Sequence, residues 1–183
     1  MKKRTFKIDM PTIREDLISK FSERYMRIER YKDCMFAPLP HYLPAEQLIF
    51  CEWVREYDKY GEYIFDLPLY PSLDEWKGRV DSSVLEAMKY LLALKIDALR
   101  FITDDRVELI EVKRRATASG IGQLLVYAEK LRNQVPGIII DTMSYVVAVA
   151  TNEIRASCSN MGIKLYVLPW LSYLGLRYKI GER

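Results

Sequence analysis

Apolar residues in the second half of the chain recur with the periods of strands and helices in turn. Residues 94–102 and 107–113 alternate as two strands around a short polar turn, and residues 120–133 repeat their apolar positions at helical spacing. A continuous β-branched run at 144–150 predicts a buried parallel strand, and a helix and a last strand follow it over 152–169. This order predicts an α/β fold whose central sheet is flanked by helices.

The first half of the chain carries mainly helical periodicity. Thr12 and Glu15 form a Thr-x-x-Glu capping box ahead of apolar residues at helical spacing, which predicts a helix over about 12–32. Ser83 and Glu86 form a second box of this type. Three further elements are predicted before the central strands: a helix at 44–57, a strand at 62–69 and a short helix at 84–92.

No repeat, linker or low-complexity segment divides the 183 residues, and this length suffices for one domain with a substantial core. We expect a helical N-terminal extension at 1–60, a core at 61–169, and an apolar tail at 170–183 that packs on the core or forms a subunit interface. Hydrophobic residues make up 50% of the chain and charged residues 29%, which argues against disorder. The net charge of +3 is only a weak sign of an anionic partner.

The cysteines and the single histidine exclude several classes of site. Cys34, Cys51 and Cys158 are widely spaced and form no CxxC pattern, so we expect no structural zinc or iron–sulfur site and a reducing, cytoplasmic compartment. His41 is the only histidine, which excludes a His-based triad. Glycine-rich phosphate loops and a nucleophile elbow are absent from the sequence. No signal peptide or apolar span of about 18 residues is present, and we expect no membrane segment.

The central strand pair concentrates the charged side chains that can carry chemistry. Glu111 and Lys113 share one face of their strand because side chains alternate across a strand. If the turn consists of residues 103–105, Asp97 lies opposite Glu111 on the neighbouring strand, with Cβ atoms about 5 Å apart. A turn longer by one residue would send the two acids to opposite faces unless a bulge corrected the register.

Two adjacent carboxylates repel each other unless one takes up a proton or a cation lies between them. A hard divalent ion such as Mg²⁺, with Mn²⁺ as a substitute, prefers oxygen ligands, and the candidates are Asp97, Glu111 and the backbone carbonyl of Val112. Such an ion lowers the pKa of a coordinated water and polarises a phosphoryl oxygen. Lys113 is then placed to orient that water or to neutralise charge on a phosphate.

An acid, a Glu-x-Lys on the next strand and a Gln-x-x-x-Tyr on the following helix resemble the core of the PD-(D/E)xK nuclease superfamily, and its RecB-type branch most closely. The residues that form this pattern are Asp97, Glu111, Lys113, Gln123 and Tyr127. The resemblance implies a restriction-endonuclease-like central mixed sheet, a Gln that positions the water or phosphate, and a Tyr that supports the helix. It is specific over 97–127 and departs from the family at Ile96, where relatives often have proline.

The resemblance also implies further contacts with metal and substrate. Relatives often add a helix acid before the first core strand, and Glu46 or Glu52 can fill that role; each alone is also a simple surface Glu. Arg114 and Arg115 follow Lys113 at the strand end, where phosphates would arrive, although a solvated strand end has the same composition.

The sequence therefore predicts a Mg²⁺-dependent DNA nuclease, active in repair, recombination or mobile-element replication, with homodimers or higher homo-oligomers possible. A non-catalytic nucleic-acid-binding or assembly protein on the same fold is the alternative. Endonuclease and exonuclease activity, and the DNA structure that is recognised, stay open at this point.

Overall fold

A six-stranded open sheet of mixed direction forms the centre of the fold. The computed structural model describes residues 11–36 and 43–169, so the predicted tail at 170–183 and His41 lie outside the described residues. The strands are β1 (Tyr25–Ile28), β2 (Gly61–Leu69), β3 (Leu94–Phe101), β4 (Arg106–Arg115), β5 (Ile139–Val149) and β6 (Ile163–Val167). They lie in the order β1-β2-β3-β4-β5-β6, antiparallel from β1 to β4 and parallel from β4 to β6.

Helices flank this sheet throughout the described ranges. They are α1 (Ile13–Lys20), α2 (Tyr31–Phe36), α3 (Pro44–Glu56), α4 (Ser82–Leu91), α5 (Ala118–Gln134) and α6 (Asn152–Asn160). The predicted α/β class, with a central mixed sheet flanked by helices, is confirmed; the narrower restriction-endonuclease-like arrangement stays a prediction. None of the helices in the described part of the chain combines the length and the apolar character needed to cross a membrane.

The two faces of the sheet form separate apolar cores. On one face, Leu99 and Leu109 pack with α5 residues such as Leu124, and α1 and α6 add to the same core. On the other face, Ile110 packs with α3 residues such as Phe50. Neighbouring residues of β4 thus enter opposite cores, as the alternation of side chains along a strand requires. Burial on both faces explains the nearly continuous apolar runs of β4 and β5.

The β3–β4 hairpin has the predicted register. Leu99 pairs with Leu109, as expected for a turn over 103–105. The pairing ends with Ala98 and Ile110, although both strands continue beyond that pair, so the predicted pairing of Asp97 with Glu111 is not formed. Asp97 therefore lies immediately past the last residue of β3 that is paired with β4, at the point where the two strands separate.

The predicted helix over 12–32 is wrong in its length. Its capping box forms, since the Thr12 hydroxyl accepts a hydrogen bond from the N–H of Glu15. The helix nevertheless ends at Lys20, and the chain passes through a 3₁₀ turn into β1. Strand β1 pairs with β2, which would otherwise expose its own backbone groups at the sheet edge. This long-range pairing outweighed the helical spacing of the apolar residues.

Three local boundaries also differ from expectation. The α5 cap is Thr117, whose hydroxyl accepts from the N–H of Gly120 over 3.4 Å, and not Ser119. Helix α4 begins after Asp81, so the expected Ser83 box does not start it. Strand β5 begins several residues before 144 because its first half continues the pairing with β4.

Cys34 on α2 and Cys51 on α3 form a disulfide, with Cα atoms 5.6 Å apart. Their spacing in sequence gave no sign of this pairing, because it depends on the packing of α2 against α3. Cys158 is a free and buried thiol. One disulfide does not decide the compartment, so the reducing, cytoplasmic localisation stays a prediction.

Candidate functional site

Asp97, Glu111 and Lys113 meet where β3 and β4 separate. The Nζ atom of Lys113 lies 2.8 Å from Oε1 of Glu111 and 3.5 Å from Oδ2 of Asp97. Glu111 is completely buried, whereas the side chains of Asp97 and Lys113 keep 19% and 35% of their exposure. The structure therefore brings two acids and one base together, with access from solvent on the side of Asp97 and Lys113.

The backbone of β4 fixes the carboxylate of Asp97. The N–H of Val112 donates a hydrogen bond to Oδ2 of Asp97 over 2.9 Å. In a continuous antiparallel ladder an N–H that points at the neighbouring strand donates to a backbone carbonyl. Here the carboxylate takes that place because the β3–β4 pairing has ended at Ala98. This bond favours the charged form of Asp97 and directs it toward Lys113.

The electrostatics of the three groups are strongly linked. Burial raises the pKa of Glu111 to about 8, the negative charge of Asp97 adds to this, and Lys113 opposes it. Burial likewise raises the pKa of Asp97, against the opposing effect of Lys113. For Lys113, burial lowers the pKa, but the charges of the two acids outweigh it and raise the pKa overall. The lysine therefore stays charged, and the two acids compete for a counter-charge.

The carboxylate of Glu111 is incompletely satisfied. Within the described residues its two oxygens have only the Lys113 ammonium group, 2.8 Å from Oε1, and the neighbouring carboxyl group of Asp97 as polar neighbours, and no backbone N–H or neutral side chain donates to them. Buried polar atoms in proteins normally have a partner. A buried acid of this kind beside a second acid is a donor set that suits a hard divalent cation.

Glu108 on the same strand provides an internal comparison. It is also buried, but its oxygens accept from Ser144 over 2.6 Å, from Arg100 over 3.1 Å and from Lys59 over 3.2 Å and 3.3 Å. The alternation of β4 places Glu108 on the face opposite to Glu111. The fold can therefore satisfy a buried glutamate fully, and it does not do so at Glu111.

A metal ion at this site would be held by Asp97, Glu111 and the carbonyl of Val112, as the sequence predicted. In the described ranges, no group of three or more His, Cys, Asp or Glu side chains is gathered closely enough to hold a metal. The side chains thus supply two oxygen ligands, and a backbone carbonyl with water molecules would complete the shell. Mg²⁺ commonly binds in this way, because it retains several waters.

Gln123 and Tyr127 lie one helical turn apart on α5. The side-chain amide of Gln123 donates to the hydroxyl of Tyr127 over 3.1 Å. Burial raises the pKa of Tyr127 to about 12, and the charges of Glu111 and Asp97 add to it, so the hydroxyl lies within their field. Tyr127 is buried and Gln123 half-buried. The helix therefore presents the predicted pair beside the two acids, with Tyr127 as the packed member.

Glu46, in the first turn of α3, lies within electrostatic reach of the site. Burial raises its pKa, the charges of Lys113 and Arg114 lower it, and the charge of Asp97 raises it. Its carboxylate also accepts from the N–H of Leu43 over 3.4 Å, as part of the helix cap. Of the two candidate helix acids, Glu46 therefore has the better placement for the site.

Glu52 has different surroundings. Its buried carboxylate accepts a hydrogen bond from the Tyr31 hydroxyl and forms an ion pair with Arg55. Since Tyr31 lies on α2, this network joins α2 to α3. These contacts indicate a structural role for Glu52.

Arg114 and Arg115 are exposed at the end of β4, immediately after Lys113. Arg114 lies close enough to Glu46 to lower the pKa of that carboxyl. The exposed guanidinium groups are thus available to a polyanion that approaches the two acids.

Tyr145 and Gly120 belong to the surroundings of the site and were not anticipated. Tyr145 is the β5 partner of Glu111, and its hydroxyl accepts from the N–H of Thr117 over 3.0 Å. A Cβ atom at Gly120 would overlap this hydroxyl. Gly120 therefore lets β5 anchor the start of α5, the helix that carries Gln123. The only sequence signal was a glycine in the first turn of a helix, where it has a low propensity.

No protein-family model matches this chain, and neither a curated protein nor a solved structure matches it significantly. The likeness to PD-(D/E)xK nucleases therefore depends on the types, order and placement of the residues themselves.

Proposed function

We propose that this protein is a divalent-metal-dependent deoxyribonuclease that hydrolyses phosphodiester bonds. The observation that carries the proposal is the contact of Lys113 with both Asp97 and Glu111, where Glu111 is completely buried beside a second acid. A buried ion pair is a poor source of stability, because desolvation offsets most of the attraction. A bound cation would be coordinated by the two acids, and a substrate phosphate would be contacted by the lysine.

Mg²⁺, or Mn²⁺ in its place, is the cofactor that Asp97, Glu111 and the Val112 carbonyl would hold. When bound, such an ion polarises the phosphoryl group and lowers the pKa of a coordinated water. Lys113 remains protonated, because the two acids raise its pKa, and its ammonium group donates to the attacking water or to the phosphate oxygens. The N–H of Val112 orients the Asp97 carboxylate and favours its charged form, against the effect of burial, which raises its pKa.

Two helices supply the remaining groups. The amide of Gln123, now bonded to Tyr127, would orient a water or a phosphate oxygen next to Lys113. Glu46 is the helix acid that we assign to the site, as an outer ligand acting through water. Glu52 is not assigned to it, because its contacts are with Tyr31 and Arg55.

DNA is the substrate that we propose, in a restriction-endonuclease-like arrangement of the core. The exposed Arg114 and Arg115 would contact phosphates on either side of the scissile bond. Replacement of one such arginine should weaken binding for all sequences alike and reduce the dependence of affinity on salt. A role in repair, recombination or mobile-element replication, and a homodimeric state, belong to the same proposal; light scattering of the purified protein tests the latter.

The test is a cleavage assay with Mg²⁺ or Mn²⁺ on linear, circular, single-stranded and branched DNA. We expect metal-dependent cleavage by the wild type and a loss of about 100-fold or more in Lys113→Ala, with the fold left intact by circular dichroism. Lys164→Ala is the matched control, because Lys164 is an exposed strand lysine on β6. Salt-sensitive DNA binding without turnover would instead support the non-catalytic nucleic-acid-binding protein.

A further inference from the structure

The backbone of β2 departs from strand geometry at Asp66. Its φ of +50° lies in the left-handed region, which residues other than glycine rarely adopt. The residue is 2% exposed, in the interior of the strand. Pairing with β3 continues on both sides of it, through Phe65–Ala98 and Leu67–Ile96. Asp66 therefore lies directly opposite Asp97, the candidate metal ligand.

At Asp66 and Asp97, the alternation of side chains between the two faces of the sheet is interrupted in both strands. Ile64 and Leu67 are three positions apart in β2, yet both belong to the core under α5. Ile96 and Leu99 show the same relation in β3. In a regular strand, residues three apart face opposite sides of the sheet. The pairing of the two strands continues past this point because both strands reverse at opposite residues.

Arg24 holds the irregular residue from outside the sheet. Its Nη1 atom donates a hydrogen bond to the carbonyl of Asp66 over 2.8 Å. A left-handed residue within a strand turns its carbonyl away from the ladder, and a buried carbonyl needs another partner. Arg24 ends the 3₁₀ turn just before β1, which places its guanidinium over β2.

We propose that Asp66 and Arg24 are positioning residues for Asp97. The left-handed backbone at Asp66, held by Arg24, reverses β3 at the opposite residue and ends the β3–β4 pairing there. The Asp97 carboxylate can then reach the N–H of Val112 and the ammonium group of Lys113. Strain of this kind persists where the surrounding structure determines it, and it concentrates at functional sites. The catalytic meaning of this role rests on the proposed nuclease function, whereas the geometry is testable without it.

The first test is amide hydrogen exchange at Val112, measured by NMR on the full chain without metal. We expect Asp66→Asn to keep the protection of this amide, since asparagine tolerates positive φ better than most residues and keeps a polar side chain of the same size. Asp66→Val and Arg24→Met should lower it by about tenfold or more, because a β-branched residue resists the left-handed region and methionine cannot donate. Leu17→Ala is the control, as a core truncation on α1 that destabilises the fold elsewhere.

Equal Val112 protection in Arg24→Met and the wild type, measured relative to Leu17→Ala, would overturn the proposal. Arg24→Met alone tests the positioning proposal if Asp66→Val does not fold. The second readout is the affinity for Mn²⁺ alone, by calorimetry, which should fall about tenfold or more in Arg24→Met and stay near the wild-type value in Asp66→Asn.

The outcomes separate this proposal from the proposed function. A wild type that neither binds Mn²⁺ nor cleaves DNA would remove the nuclease, while Val112 exchange would still decide whether Asp66 and Arg24 position Asp97. A wild type that cleaves DNA, with Arg24→Met equally active and equally protected at Val112, would remove only the positioning role.

Discussion

The ammonium nitrogen of Lys113 lies 2.8 Å from Oε1 of Glu111, the residue two positions earlier on the same face of β4. Within the described residues, this lysine is the counter-charge of the buried Glu111 carboxylate when no divalent ion is bound. The protonation state of Glu111 is therefore sensitive to changes at the site.

The stability of the metal-free protein should depend on Glu111. Its pKa is about 8 in the fold, chiefly through burial, against an ordinary value of 4.5. The folded state therefore binds more protons than the unfolded state across this window, and the free energy of unfolding falls as pH rises through it. Glu111→Gln should flatten this decline and be about 1–3 kcal/mol more stable than the wild type at pH 8 without metal.

Urea unfolding in a chelator, from pH 5 to pH 8, measures this difference. Excess Mg²⁺ should restore wild-type stability at pH 8 and leave Glu111→Gln nearly unaffected, since an amide is a poorer ligand for the ion. Parallel stability curves for the two proteins over the whole range would contradict the assignment of Glu111.

Substitutions of the two helix acids, Glu46 and Glu52, should have different effects on cleavage and stability. Glu46→Gln is expected to lower metal-dependent cleavage about tenfold or more and to change stability by less than about 1 kcal/mol, because Glu46 is half-buried near the site. Glu52→Gln should lower stability by about 1–3 kcal/mol, because it weakens the buried network with Tyr31 and Arg55, and leave cleavage by the folded fraction unchanged. Cleavage rates and melting temperatures of both variants distinguish the two roles. The reverse pattern would assign Glu52 to the site and give Glu46 the structural role.

Gly120→Ala should destabilise the protein by about 1–3 kcal/mol or more. The added methyl group would overlap the Tyr145 hydroxyl, whose bond to Thr117 anchors the start of α5. Gly122→Ala is a close control, because the same helix has open space around that position. It should be neutral or stabilising by about 0.5–1 kcal/mol, since alanine is the better helix former. Thermal or urea unfolding measures both, and equal effects would contradict the packing described for Tyr145.

Lowering the pH should weaken the attachment of α1 to β2. Hydrogen bonds from Arg14, over 2.7 Å and 2.9 Å, lower the pKa of Glu62. A depressed pKa contributes stability above the ordinary value near 4.5, and this contribution is lost as pH falls through the folded value. Arg14→Met should therefore cost about 1 kcal/mol at pH 7, discounted for partial exposure, and converge with the wild type near about pH 3.

Urea titrations of Arg14→Met at both pH values test this. Lys20→Met is the control, because Lys20 forms an exposed ion pair with Asp16 within the same helix. It should change stability by only a few tenths of a kcal/mol at either pH.

The sequence by itself determined the elements whose periodicity is local. Alternation along β3 and β4, with a turn of fixed length, was enough to give the register of the hairpin as far as Ala98 and Ile110, one residue short of the predicted pairing of Asp97 with Glu111. Alternation also put Lys113 on the face of Glu111, and helical spacing put Gln123 one turn from Tyr127. These relations depend on backbone repeat distances within one segment or one hairpin, which the order of residues fixes directly.

Tertiary structure alone decided the relations between distant segments. The apolar residues whose spacing predicted one long helix in part form β1, which pairs with the edge of β2. The disulfide of Cys34 with Cys51 depends on the packing of α2 against α3, and the choice between Glu46 and Glu52 depends on how α3 packs on the sheet. The left-handed Asp66 opposite Asp97 follows from cores on both sides of two paired strands. Such contacts join residues far apart in sequence, and only the packed fold sets their distances.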